Sequence, residues 1–326
     1  MPDFWLACIA ILAGFIGLIW SADRFVGGSA AIANNLGVSR LIIGLTIVSL
    51  GTSAPEIVVS ISSALKGAGE LAVGNALGSN LANIGLVLAI TALIAPMPIQ
   101  KHLINQEIPI LLLVTAIAGI TLYDAHLSFW EGVLLAGSLI PLLSLMIWTK
   151  KKHPSPEEED SEIPDDSMTK AIFWFVIGLG ALIASSEMLV WGARTVAEAF
   201  GVSPLIIGLT VIAIGTSLPE LAASIMSALK GHHDMAIGNI IGSNIFNILA
   251  VMAVPGLVSP LTMDASVFSR DFIAMAAVTL LLCLAIIADY AFGNRGDKGT
   301  GHARLGRRIG CLLLASYIAY YYLLFK

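Results

Sequence analysis

The feature that most narrows what this chain can fold into is that it is written twice. GVSRLIIGLTIVSLGTSAPEIVVSISSALKG, beginning at Gly37, returns as GVSPLIIGLTVIAIGTSLPELAASIMSALKG, beginning at Gly201 and therefore 164 residues later. The same offset lays GNALGSNLANI from Gly74 on GNIIGSNIFNI from Gly238, and Pro96 on Pro260. No gap is needed between residues 28–96 and 192–260, and about half of the paired positions are identical, so a duplicated unit explains the match better than a shared taste for Leu and Ile.

Composition says what surrounds the duplicated unit. Hydrophobic residues make up 57% of the chain and charged ones 12%, with a mean hydropathy of +0.89. Apolar stretches of about 20 residues, enough to cross a bilayer, recur near residues 4–22, 41–65, 71–95, 104–122 and 128–148. They recur again near residues 171–190, 204–229, 235–258, 270–289 and 308–325. The expected fold is an all-α integral membrane protein of about ten transmembrane helices. Five spans per copy is an odd number, so the second copy must enter the membrane from the opposite side. The expectation is two inverted five-helix repeats, residues 1–149 and 170–326, joined by a charged linker at 150–169. Inverted repeats are a transporter architecture, with cargo held near the bilayer midplane at the repeat interface.

Lys and Arg prefer cytoplasmic loops. Placing the N- and C-termini outside leaves only Lys66, Arg194, Arg270 and Lys326 of the 17 basic residues outside, whereas the opposite topology inverts that bias. The linker carries KKKHPSPEEEDSEIPDD, a solvated run without apolar period or EF-hand spacing. Cys8, Cys283 and Cys311 lack metal-ligand spacing and read as packed free thiols. The N-terminus has no basic n-region or A-x-A site, so the first helix is expected to be retained. All six His residues fall in loops or at helix ends, away from any midplane relay.

Two acids stand out. Glu56 and Glu220 lie in the middle of long apolar segments, where an ionised carboxylate costs roughly 2.5–3.5 kcal/mol on insertion scales. Neither segment offers a basic partner, so a bound cation is the natural counter-charge. Hard cations take oxygen ligands from carboxylates, amides, hydroxyls and carbonyls, and both copies supply them. Thr52 and Glu56 are four apart and share a helix face, with Ser53 beside them. Pro55 has no N–H, which frees the carbonyl of Gly51 and bends the helix. Gly215, Thr216, Ser217, Pro219 and Glu220 repeat the arrangement. The following helices present Ser79 and Asn83, and Ser243 and Asn247, again four apart. The glycines of Gly74-x-x-x-Gly78 and Gly238-x-x-x-Gly242 suit close helix packing. Asn75, Asn80, Asn239 and Asn244 are expected to cap or bridge the broken helices rather than to meet the ion.

GTSAPE followed by GNALGSNLAN, and GTSLPE followed by GNIIGSNIFN, closely resemble the alpha repeats of the sodium/calcium exchanger superfamily, bacterial type, and the likeness covers both halves. It implies ion ligands at Thr52, Ser53, Glu56, Ser79 and Asn83 and at Thr216, Ser217, Glu220, Ser243 and Asn247, with backbone oxygens near Ser49 and Ala213. Asn247 stands where several relatives carry the Asp associated with potassium, which argues against potassium dependence. The resemblance implies a secondary antiporter exchanging Ca2+ for Na+ by alternating access, and the compact loops without a targeting segment suggest a bacterial-type plasma membrane, the cell inner membrane. It implies no cofactor and no catalysis, and its partners are the transported cations and the lipid bilayer, with no nucleic acid.

If Glu56 and Glu220 are the only ionised groups, one Ca2+ neutralises the site while more than two Na+ leave it positive, and exchange is electrogenic. A cation/proton exchanger using the same two acids is the rival reading, and a passive channel a weaker one. Asp23 and Glu187 also correspond at the 164-residue offset, near the ends of the first and sixth expected helices. They read as interfacial acids or as residues lining cation access routes.

Overall fold

A backbone in hydrocarbon must satisfy its own hydrogen bonds, which leaves the helix as the spanning form for apolar runs of this kind. The computed structural model describes residues 2–152, 166–202, 211, 213–292 and 303–324. It is almost wholly helical. In chain order the helices are α1 Pro2–Leu36, α2 Arg40–Thr52, α3 Ala54–Leu65, α4 Gly69–Ile94, α5 Leu103–Leu122 and α6 Phe129–Lys152. They continue with α7 Met168–Ala199, α8 Ala213–Thr216, α9 Leu218–Leu229, α10 His233–Val258, α11 Val267–Ala291 and α12 Arg307–Leu324.

Seven of these (α1, α4, α5, α6, α7, α10 and α11) are long and apolar enough to cross a bilayer, and the pair α2 and α3, bent by 46° at its break, makes an eighth among the described residues. Most of the linker, residues 153–165, and much of the run into α8, residues 203–210 and 212, lie outside the described residues. α1 runs well past the apolar stretch at 4–22. Asp23 and Arg24 do not end it, because Phe25, Val26, Ala30 and Ala31 beyond them are fully buried. It stops at Gly37, whose φ of 61° supplies the left-handed turn that commonly closes a helix.

Contacts come in pairs related by the 164-residue offset. α1 and α7 cross where there is no room for a side chain: a Cβ on Gly14 would meet Leu189, and one on Gly178 would meet the equivalent Phe25. The same holds for Gly28 against Phe175 and Gly192 against Ile11. Four short strands also pair across the two halves. β1 Met97–Pro98 pairs antiparallel with β4 Arg304–Leu305, and β2 His126–Leu127 with β3 Leu261–Thr262, so β1 and β3, its counterpart at the 164-residue offset, each join the other half of the chain. The main core, built from α4, α5, α10 and α11 with α12, surrounds the middle of the molecule. α1 and α7 form a second, smaller core to one side and turn Trp5, Ile9, Leu12, Ile16 and Phe173 outward.

Candidate cation site

The two broken helices meet here. α2 ends at Thr52, Ser53 takes φ −83° and ψ 6°, and α3 restarts with Pro55 in its first turn. In the second copy Ser217 takes φ −91° and ψ 6° between α8 and α9, with Pro219 in the same place. Pro suits a first helical turn because its missing N–H is an orphan donor there in any case. Each Glu therefore sits in the first turn of a helix, where the positive end of the helix dipole favours a carboxylate. The carbonyl-rich end of the preceding helix lies beside it and favours a cation.

The structure buries nine of the ten predicted residues: Thr52, Ser53, Glu56, Ser79, Asn83, Ser217, Glu220, Ser243 and Asn247 are each at most 5% exposed, while Thr216 is half-buried and lines a cavity with Glu187. Bonds cross between the copies. Ser53 Oγ donates to Glu220 Oε1 at 3.1 Å, and Thr52 Oγ1 donates to Asn239 Oδ1 at 3.1 Å and lies 3.4 Å from Ser243 Oγ. Asn83 Nδ2 donates to Asn244 Oδ1 at 3.2 Å.

Many polar atoms here are left over. Glu56 Oε2, Glu220 Oε2, Asn83 Oδ1, Ser217 Oγ and both amide atoms of Asn247 are buried without a hydrogen-bond partner among the described residues. Neither Glu forms an ion pair with a basic side chain among them. Orphaned buried oxygens cost roughly 1–3 kcal/mol apiece unless something binds them. A hard cation is what this donor set fits: two acids, several hydroxyls and amide oxygens, and no thiolate or imidazole. No cluster of three or more His, Cys, Asp or Glu side chains with metal-holding geometry occurs among the described residues, so the acids at this site come only as one pair.

The sequence reading placed four asparagines outside the site, and the structure puts them at its wall. Asn75 Nδ2 donates to the Glu56 carbonyl and Asn239 Nδ2 to the Glu220 carbonyl, both at 3.4 Å, bracing the helix breaks. Asn239 also donates to Ser224 Oγ at 2.9 Å, and Asn80 Nδ2 to the Asn244 carbonyl at 3.2 Å. Their identical spacing in both copies was the available signal. The carbonyls near the breaks are partly engaged as well. Ser49 O accepts from Thr52 Oγ1 and from the Ser53 N–H, and Gly215 O, freed by Pro219, accepts from Ser186 Oγ at 3.0 Å. π-helical turns begin at Asn83 and at Asn247, and such turns recur at functional sites.

Close likenesses exist among known proteins. CaxA of Alkalimonas amylolytica is 48% identical over 98% of this chain and 99% of its own length. The inner membrane protein YrbG of Escherichia coli is 39% identical over 86% of this chain and 88% of its own length. A solved structure of the sodium-calcium exchanger NCX_Mj superposes with a TM-score of 0.80 at 32% identity, covering 97% of this chain and 98% of that one. Fold and site thus define an all-helical, multi-pass membrane protein of the cation/calcium antiporter class, not an enzyme. The family model described as sodium/calcium exchanger protein matches residues 6–148 and 170–326, and the chain belongs to that family.

Proposed function

We propose that this protein exchanges Ca2+ for Na+ across a plasma membrane by alternating access, using one midplane site to which both halves contribute. The halves are two inverted repeats of five spans, residues 1–149 and 170–326, joined by the cytoplasmic linker at 150–169, with both termini outside. Inside the site, Glu56 and Glu220 supply the charge. Thr52, Ser53, Ser79 and Asn83, with Thr216, Ser217, Ser243 and Asn247, supply neutral oxygens. The observation that supports this reading most is the crossed contact in which Ser53 of one copy holds Glu220 of the other, with Glu56 and Glu220 both buried. Ca2+ binds by exchanging its water shell for those oxygens, and Na+ accepts the same hydroxyls and carbonyls with less need for both acids. Two uncompensated carboxylates make the unloaded site costly to carry through a dry intermediate, which couples the two ions.

The test is radioactive calcium uptake into sodium-loaded proteoliposomes diluted into sodium-free buffer. Wild type should accumulate calcium, while Glu56→Gln and Glu220→Gln should each lose nearly all uptake. Uptake driven by a pH gradient but indifferent to sodium would replace sodium with the proton as the returning ion. Uptake that survives both substitutions would remove the shared site.

A further inference from the structure

The pairing at offset 164 runs through the crossings of α1 and α7, but at the C-terminal ends of α3 and α9 it fails. Lys230, the residue that caps the C-terminus of α9, reaches Asp23 on α1: Nζ lies 2.7 Å from Oδ1 and donates to the Asp23 carbonyl at 3.1 Å. The counterparts of these two are Lys66, which caps α3, and Glu187 on α7. Both are exposed, and neither forms an ion pair among the described residues. Glu187 instead lines a cavity of about 440 Å³ that reaches down to Pro55 and Thr216 at the two helix breaks. The site itself is lopsided in the same sense. Ser53 holds Glu220, whereas Ser217 Oγ, which by symmetry would hold Glu56, has no partner among the described residues.

We propose that Asp23–Lys230 and Glu187–Lys66 are two alternating gates, one closing each mouth of the access route, and that this conformation has the first shut and the second open. The proposal rests on the alternating-access reading above and adds the residues that close each face. α1 and α7 interlock through Gly14, Gly28, Gly178 and Gly192 and carry Asp23 and Glu187 at equivalent positions, while α3 and α9 end at Lys66 and Lys230. Displacing the α1 and α7 unit along the other two helices separates Asp23 from Lys230 as it brings Glu187 towards Lys66. Each state then holds one ion pair, so neither is trapped by electrostatics. Asp23 and Lys230 are 41% and 32% exposed, and a pair so hydrated biases an equilibrium by up to about fivefold rather than locking it. Arg194, which lines the same cavity as Glu187, pairs with Glu198, and Arg24, next to Asp23, stacks on Trp174.

The experiment uses the full chain in proteoliposomes, with Cys8, Cys283 and Cys311 replaced by Ala. One variant adds Asp23→Cys with Lys230→Cys and another Lys66→Cys with Glu187→Cys. Each is treated with a short bifunctional methanethiosulfonate, because a Lys–Asp pair spans more than a disulfide bridges. The 23/230 pair should link at rest, the 66/187 pair only while sodium and calcium gradients drive turnover, and either link should stop uptake until reduced. In a second arm, Asp23→Lys and Lys230→Asp should each slow exchange through like-charge repulsion, and the double exchange of charges should restore it. A 66/187 pair that never links during vigorous calcium uptake, or links identically with and without gradients, overturns the gates and leaves the exchange reading standing. A cysteine-free parent that takes up no calcium against sodium, where wild type also fails, removes the exchange reading and the gates with it.

Discussion

Asn239 bonds three partners at once, accepting from Thr52 Oγ1 and donating to both the Glu220 carbonyl and Ser224 Oγ, and it is fully buried. Truncation to Ala would strand those groups in a dry interior, at about 1–3 kcal/mol for each left unpaired. Asn239→Ala should therefore lower the thermal unfolding midpoint in detergent and weaken calcium uptake together. Asn75→Ala should do less of both, since Asn75 is partly exposed and donates to the Glu56 carbonyl at 3.4 Å. The burial of Glu56 and Glu220 among hydroxyl and amide side chains was legible in the sequence, because a Glu in an apolar run demands company. That Asn239 bridges the helix break was expected, but its bond to Thr52 of the other copy was not legible. Spacing within one copy shows which side chains share a helix face, but not which residue of the other copy they will meet.

The helices α2 and α10 cross as closely as backbones allow. A Cβ on Gly242 would come within 2.5 Å of Ser49 Oγ and 2.7 Å of the Leu45 carbonyl, and one on Gly238 within 2.8 Å of the Leu41 carbonyl. Backbone atoms cannot step aside, so Gly242→Ala should destabilise by about 1–3 kcal/mol and shift Ser49 at the site. Gly137→Ala on α6 meets open space and should be neutral or gain up to about 1 kcal/mol from helix propensity. Denaturation midpoints of the two variants against wild type check both signs. The G-x-x-x-G spacing announced this crossing at Gly238 and Gly242, but Gly74 and Gly78, expected to pack in the same way, are exposed and a Cβ on either meets nothing within 4 Å among the described residues. The continuation of α1 to Leu36 was hidden, because a charged Asp23–Arg24 pair reads as a helix end until one sees Lys230 and the Trp174 ring receive it.

Across the whole molecule, His102 ties the start of α5 to the start of α10. Its Nδ1 lies 3.1 Å from Glu107 Oε2, and its Nε2 lies 3.6 Å from Asp234 Oδ2 and 2.7 Å from Gln100 Oε1. Burial works against its charge, but hydrogen bonds to Asp234 and Glu107, reinforced by their charges, raise its pKa to about 9. The stabilisation this provides is complete below the ordinary value near 6.5 and is lost as pH rises from there through about 9. His232 has the opposite sign. Burial, then the charges of Arg40, Lys230 and His233, lower its pKa to about 4, so the fold loses stability as pH falls from about 6.5 towards 4. Unfolding midpoints measured from pH 5 to 10 should peak near neutrality, and His102→Gln should flatten the alkaline arm while leaving the acid arm in place. A histidine at a helix end gave the sequence reader no hint of this, since both of its acids arrive through the tertiary fold.

The length of α1 and α7 has a consequence outside the protein. At about 1.5 Å per residue, the 35 residues of α1 and 32 of α7 reach about 50 Å, well beyond a hydrocarbon core of about 30 Å. Helices that long must lean, and their outer faces, rich in Trp, Ile and Leu, rest on acyl chains. The lean of these two helices is thus negotiated with the thickness of the bilayer, which makes the surrounding lipid part of the machine's elastic frame.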